Sequence, residues 1–309
     1  CVSLCGRNEE NVRNAAARYE VKRWYTDWRE MLEDKEIQLF DNCGTNDIHA
    51  ETCIEAADRG LHILCEKPLA LNAAECEEMV AAAQEHGVVL MEAFMYRFHP
   101  RTEKVLQLVQ SGTIGQPSLI YAAFTFRLTN PENIRLNPEL GGGSLMDVGC
   151  YCVNISRTVA NAWSVHAGSG PGEPVEVQAY ANWGESGVDV EMAGTLRFAD
   201  GLLAQFSSGL TLERREFYQV AGAEGHLDVQ SAFLPRMSDT VIEEHHGREK
   251  PTAYEISGVD QYQLMGEHFA DCVLQKKPLR YPPEEAAANM RVIEALYGSA
   301  RSGGRPERV

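Results

Sequence analysis

An acid and a base at the end of an apolar run are the first residues in this chain that could do chemistry. Residues 60–72 read GLHILCEKPLALN, so the run climbs into Glu66 and Lys67 with Pro68 directly behind. A carboxylate and an ammonium where a buried strand leaves its sheet can bind and polarise a ligand, and a proline behind them fixes the backbone that aims them. The X–Pro bond also gives access to a cis peptide, and a cis Lys67–Pro68 bond is the expectation. A second pair lies in ELGGGSLMDVGCYCVNISRTVA, which reads as a helix after three glycines. There Asp147 and Tyr151 stand four residues apart, a rotation of about 400° that brings both to nearly one face. Ser144 and Asn154 extend that face. A carboxylic acid and a phenol opposite a lysine can bind and deprotonate a hydroxyl; the same pair could equally be a buried Tyr hydrogen-bonded to Asp for packing.

These residues need a scaffold, and the first hundred residues supply an alternation. CVSLC, IQLFDNC, HILCE and VVLMEAF read as strands. Between them NEENVRNAAARYE, WREMLED, DIHAETCIEAADRG and NAAECEEMVAAAQEHG read as helices, with Asn8 and Asn72 as N-caps. Apolar strands alternating with helices predict a parallel sheet covered on both faces. After Pro100 one helix leads into β-rich sequence, where RFADGLLAQF carries an Asp-Gly hairpin turn between alternating strands. Helices return in DQYQLMGEHFADCVLQ and PPEEAAANMRVIEALYGSAR, while 167–174 and 231–258 read as surface connections. The expected fold is α/β: a Rossmann-type parallel domain over 1–95 and an α/β domain with an open, largely antiparallel sheet over 96–309.

Ligands of open parallel sheets collect at the carboxyl ends of the strands. Three strands run into polar residues there: Gly6-Arg7-Asn8, the stretch from Gly44 through Asn46 to His49, and Glu66-Lys67-Pro68. The first of these meets the adenosine ribose in a dinucleotide fold. Gly6 and Arg7 with no acid favour NADP over NAD. No G-x-G-x-x-G occurs, and the chain begins at Cys1 already in a strand, so the first strand and glycine turn are expected upstream of Cys1.

Composition narrows the partners. A formal net charge of −17 repels nucleic acid and anionic membranes. No apolar run approaches the roughly 18 residues of a membrane span, and residues 1–20 are polar and charged rather than a signal peptide, which makes a cytoplasmic protein the expectation. Nine cysteines without a single C-x-x-C read as reduced core residues rather than a metal site. His245-His246, flanked by Glu, reads as a solvated loop rather than a ligand pair.

CEKPLAL together with GGGSLMDVGCYCVN resembles the Gfo/Idh/MocA oxidoreductase family, and TNDIHAE, MEAFMYRFHP and LVQSGTIGQP match its pattern in order and spacing over essentially the whole chain. The resemblance implies hydride transfer between NADP or NAD and a secondary alcohol or ketone of a sugar, polyol or diol. It implies Lys67 as the active-site lysine, Glu66 beside the nicotinamide ribose, Gly44, Asn46 and His49 beside the cofactor, and Asp147 as the substrate-binding acid. Tyr151 stands where the inositol dehydrogenase branch has His, as in the glucose–fructose oxidoreductase and dihydrodiol dehydrogenase branch. On this pattern Tyr151 is the acid/base, Lys67 depresses its pKa and holds the substrate oxygen, and no metal is needed. Arg97 and Asn154 complete the pocket wall; Arg127, Asn133 and Arg135 face either sugar hydroxyls or solvent. The open sheet implies a homo-oligomer. Two features depart from the pattern: the absent glycine turn, and Asp41-Asn42 in a strand that is usually apolar. They support an alternative, a non-catalytic, cofactor-sensing or structural homologue, against which the trio Lys67, Asp147 and Tyr151 argues.

Overall fold

The structure, a computed structural model, describes residues 1–309. Its first part runs β1 (Ser3–Cys5), α1 (Glu9–Arg18), β2 (Arg23–Tyr25), α2 (Trp28–Leu32), β3 (Leu39–Asn42), α3 (His49–Asp58), β4 (His62–Cys65), α4 (Ala73–Glu85) and β5 (Leu90–Glu92). Asn8, Asp27 and Asn72 each accept a backbone N–H from the first turn of α1, α2 and α4, which fixes where those helices start. β4 lies between β3 and β5 in parallel register, and its Ile63, Leu64 and Cys65 are buried, as a central strand covered on both faces requires. The parallel strands form two ladders, β1–β2 and β3–β4–β5, rather than the single sheet expected. β2 was not legible in the sequence: three half-buried residues, RWY, show no period.

The second part contains α5 (Pro100–Gln110), β6 (Pro117–Arg127), α6 (Cys150–Ala167), β7 (Pro174–Trp183), β8 (Asp189–Phe198), β9 (Leu203–Gly209), β10 (Thr211–Gly222), β11 (His226–Gln230), β12 (Thr240–His245), β13 (Thr252–Ile256), α7 (Gln261–Gln275), α8 (Glu284–Arg301) and β14 (Glu307–Arg308). The strands make one nine-stranded sheet in the order β13-β12-β11-β10-β6-β9-β8-β7-β14. Only β6 and β9 run parallel; every other neighbour is antiparallel. The Asp200-Gly201 turn joins β8 to β9 as expected, with Gly201 at φ +93°. Helices α6 and α8 cover one face of the sheet, and α6 is buried along most of its length because α5 and α8 flank it. The opposite face is open, with Tyr121, Tyr180 and Leu203 exposed.

One expectation fails in this half. Residues 231–258 hold β12 and β13 rather than a connection. Charge hid the strand: Ile242 and the carboxylate Glu244 both face inward, and Glu244 is satisfied by Tyr254 Oη at 2.7 Å and His246 Nε2 at 2.6 Å. No helix is long and apolar enough to cross a membrane.

Candidate active site

Strand β4 delivers Glu66 and Lys67 out of the first part, and the Lys67–Pro68 bond is cis, as expected. The Lys67 ammonium donates to the backbone oxygen of Asp147 at 2.6 Å and reaches its Oδ1 at 3.4 Å. Asp147 lies in a π-helical turn, Leu145–Gly149, that precedes α6. Such turns open the ladder of carbonyls and recur at functional sites; here the Asp147 carbonyl faces an ammonium. Asp147 Oδ2 accepts Arg135 Nε at 2.6 Å.

Asp147 is therefore clamped between two cations. Burial pushes its carboxyl up, but Lys67 and Arg135 outweigh that and hold it below the usual carboxylate range. Burial pulls Lys67 down, but Asp147, Cys150 and Glu66 together outweigh it, so the ammonium is held above its ordinary value. Both directions describe an intact ion pair. Burial also raises Glu66, against the pull of Lys67.

Tyr151 lies below this pair inside an aromatic cage. Its ring centroid is 5.2 Å from Phe94, 5.8 Å from Tyr96, 5.5 Å from Phe124 and 5.3 Å from Phe233. Lys67 Nζ sits over the ring face, 5.0 Å from its centroid, rather than beside the hydroxyl. The expected depression of the Tyr151 pKa is absent. Burial, joined by Cys150 and Glu66, pushes the phenol well above its ordinary value. Its hydroxyl donates to Met95 Sδ at 3.4 Å, a weak acceptor. Asp147 hydrogen-bonds Lys67 and Arg135, not Tyr151, so the pair is not a packing contact.

A cavity of about 390 Å³ opens over these groups and is shared by both parts of the chain. Gly44, Thr45, Asn46, Glu66, Lys67 and Pro68 line it from the first; Arg135, Asp147, Tyr151, Arg214 and Tyr262 line it from the second. Gly143, at φ +125°, lets the chain pass Asp189: a Cβ there would lie 2.2 Å from Asp189 Oδ1.

Loop contacts account for the polar strand. Asn42 Oδ1 accepts the Gly44 N–H at 3.1 Å, while its Nδ2 donates to Thr52 Oγ1 at 2.8 Å. Asn46 Nδ2 donates to the Gly141 carbonyl at 2.9 Å and ties the two parts together. His49 is fully buried; Nδ1 lies 3.1 Å from the Pro68 carbonyl and Nε2 3.2 Å from the Gly44 carbonyl, and the neutral ring donates to one of them. It braces both loops from behind and does not line the cavity, and burial lowers its pKa.

Several expected residues are placed elsewhere. Arg97 does not face the cavity; its guanidinium stacks 3.8 Å from the Tyr281 centroid. Asn154 is buried away from the cavity, accepting Tyr96 Oη at 2.6 Å. Gly6, Arg7 and Asn8 sit at the end of β1, where Asn8 caps α1 and Arg7 is exposed. Asn133 accepts its own turn's Arg135 N–H at 3.0 Å. Sequence reasoning held Thr45 only within the polar stretch from Gly44 to His49, missed Arg214 and Tyr262, and left Arg135 between sugar and solvent. No local pattern marks them, because each reaches the cavity from a separate element.

A parallel sheet that presents a lysine to an open, mostly antiparallel sheet is the frame of this site, and comparison with known proteins gives its family as one of oxidoreductases with an NAD-binding fold. Residues 1–94 match the oxidoreductase family with an NAD-binding Rossmann fold, and residues 102–228 match the GFO/IDH/MocA C-terminal domain. The chain belongs to the Gfo/Idh/MocA oxidoreductase family. It is similar to D-xylose 1-dehydrogenase (NADP(+)) 2 of Haloferax volcanii, 33% identical over 99% of this chain and 91% of that one. It is also similar to trans-1,2-dihydrobenzene-1,2-diol dehydrogenase of Xenopus tropicalis, 28% identical over 97% of this chain and 88% of that one. Among solved structures, aldose-aldose oxidoreductase from Caulobacter crescentus, complexed with glycerol, superposes with a TM-score of 0.88 at 25% identity, covering 100% of this chain and 91% of that one.

Proposed function

We propose that this protein interconverts a secondary alcohol and a ketone on a sugar, polyol or diol, with NADP preferred over NAD. The observation that carries the reading is the Tyr151 hydroxyl, held only by a thioether at the floor of a cavity whose fixed cation is Lys67. A phenol bound so weakly exchanges Met95 for a substrate oxygen at little cost. In reduction it donates its proton to the oxygen of the forming alcohol; in oxidation the same oxygen returns one. Lys67, kept charged by Asp147, stabilises the developing negative charge on that oxygen. Asp147 orients Lys67 and, through Arg135, the cavity rim.

The residues present fit a nicotinamide cofactor. Thr45 Oγ1, at the mouth of the cavity, is buried without a hydrogen-bond partner, and Glu66 and Asn46 stand beside it. Thr45, Asn46, Glu66 and Lys67 would hold the group, which when bound supplies the hydride donor or acceptor. Exposed Arg7 beside Gly6, with no acid, supports NADP. The relative from Haloferax volcanii, named for NADP(+) and D-xylose, supports the same cofactor and an aldose or similar polyhydroxyl substrate. We further take 1–95 as the cofactor domain and 96–309 as the substrate domain, and the open face of the nine-stranded sheet as a homo-oligomer contact, supported by exposed Tyr121, Tyr180 and Leu203.

Steady-state kinetics over a panel of aldoses, polyols and trans-diols tests the reading. Tyr151→Phe is expected to lower kcat about 10²–10⁴-fold with KM little changed. Wild-type kcat in that variant, with Lys67→Met inactive, would make Lys67 the proton carrier instead. Because burial raises the phenol, oxidation should climb with pH through the alkaline range while reduction stays flat through neutrality.

A further inference from the structure

Far from the cavity, the open face of the sheet carries an arrangement that hydride chemistry does not use. His226 on β11 and His245 on β12 are direct cross-strand partners, and Asp228 sits two residues along β11 on the same face. Their imidazoles are parallel, with centroids 4.4 Å apart and planes within 4°. Asp228 Oδ2 lies 3.3 Å from His245 Nε2 and 3.6 Å from His226 Nε2. Gln219 on β10 donates to the other oxygen, Oδ1, at 2.6 Å and so turns Oδ2 toward the two rings. His245 Nε2 is nevertheless buried without a hydrogen-bond partner, a costly state for a ring nitrogen.

We propose that His226, Asp228 and His245 form a binding site for a first-row divalent cation, zinc above all, which clamps β11 to β12. Two imidazoles and a carboxylate are a donor set suited to Zn²⁺. The three donor atoms lie within 4.8 Å of one another. Bonds of about 2.0–2.2 Å in a tetrahedral site draw donors to roughly 3.3 Å, and Asp228 Oδ2 already lies 3.3 Å from His245 Nε2 and 3.6 Å from His226 Nε2. Glu243, the cross-strand partner of Asp228, places Oε2 3.6 Å from His245 Nε2 and offers a fourth ligand. Gln219 orients the carboxylate as outer hydrogen bonds do at metal sites. The sequence concealed the pairing. His245 and His246 are neighbours, but successive strand residues face opposite ways, and His246 is taken up by Glu244 and the Glu224 carbonyl.

The test uses the full chain, stripped with a chelator and titrated with Zn²⁺ against a chromophoric competitor. One zinc per chain is expected, with a raised Tm. Affinity should fall about 100-fold or more in His226→Ala and in His245→Ala, and about tenfold in Gln219→Leu, which touches no metal. Titration with Co²⁺ separates this site from the thiols: visible bands without a thiolate charge-transfer band are expected. If His226→Ala folds poorly, His226→Asn replaces it, with apo Tm as the control. None of these residues lines the cavity, so turnover in chelator should be unchanged. Failure to bind one equivalent, unchanged affinity in His226→Ala and His245→Ala, or a thiolate band would each overturn the site. Loss of turnover with intact zinc binding would count against the proposed function only.

Discussion

Two acids meet at the entry to α6: Asp189 bonds the segment that leads into the helix, and Asp147 lies within it. Asp189 receives neutral donors only: Ser144 Oγ and the Leu145 N–H on Oδ2, and Tyr297 Oη on Oδ1, each at 2.7 Å. Burial pushes its carboxyl up even against those hydrogen bonds. Asp147, a few residues from Ser144, receives Lys67 and Arg135 and is held below the usual range. Asp189 is fully buried and Asp147 nearly so, with 14% of its side chain exposed, yet only Asp147 lies in a field of cations. The first fastens backbone to sheet; the second keeps an ammonium charged at the edge of a cavity. On the proposed function, the neutral partners of Asp189 leave it a structural part and the charged partners of Asp147 give it a part in the reaction.

The contrast breaks most sharply at Lys67. Lys67→Met should lower kcat/KM by about 10³-fold or more, because the charge at the forming alkoxide is lost, and kinetics with matched melting curves checks it. A stability loss as large as that of the Asp189 variant would erase the distinction. Asp189→Ala leaves Ser144, Tyr297 and the Leu145 N–H unpaired in the interior. It should cost about 3–5 kcal/mol in denaturant unfolding while the folded fraction keeps near-normal turnover. Asp147→Asn should lower kcat about 10–100-fold, because the carboxylate charge facing Lys67 and Arg135 is lost.

The same pair sets a pH dependence. A carboxyl held below its unfolded value contributes stability above about pH 4 that is lost as pH falls further. The stability gap between wild type and Asp147→Asn should therefore narrow in acid. The smallest effect concerns a third buried acid, Glu92, which burial pushes up to about 7 against the hydrogen bond from the Leu69 N–H. A raised carboxyl favours the folded state most below its unfolded value, near pH 4, and that advantage fades as pH rises through 7. Glu92→Gln should thus gain Tm relative to wild type between pH 5 and pH 8.5. An unchanged difference would mean that Glu92 stays ionised throughout.

Much of this was legible because it is local. The end of β4 carried Glu66-Lys67-Pro68, the spacing of Asp147 and Tyr151 placed both on the segment entering α6, and Asn8 and Asn72 marked their helices. What failed was relational. Arg97 and Asn154 have plausible chemistry and reasonable positions, yet one stacks on Tyr281 and the other serves Tyr96. Arg214 and Tyr262 carry no signature at all, since their relevance is a matter of which elements converge.

The sequence by itself determined the alternation of strands and helices, the lysine at a strand end and the family pattern, because periodicity, capping and motif spacing act over a few residues. Only the tertiary structure decided that Asp147 binds Lys67 and Arg135 rather than Tyr151, that Lys67 lies over the phenol ring instead of beside its hydroxyl, and that His245 faces His226 rather than His246. Those pairings depend on burial and on charges brought together by the fold, Lys67 and Asp147 from 80 residues apart and Tyr151 from farther still. A chain read in order does not contain the field that the folded chain creates.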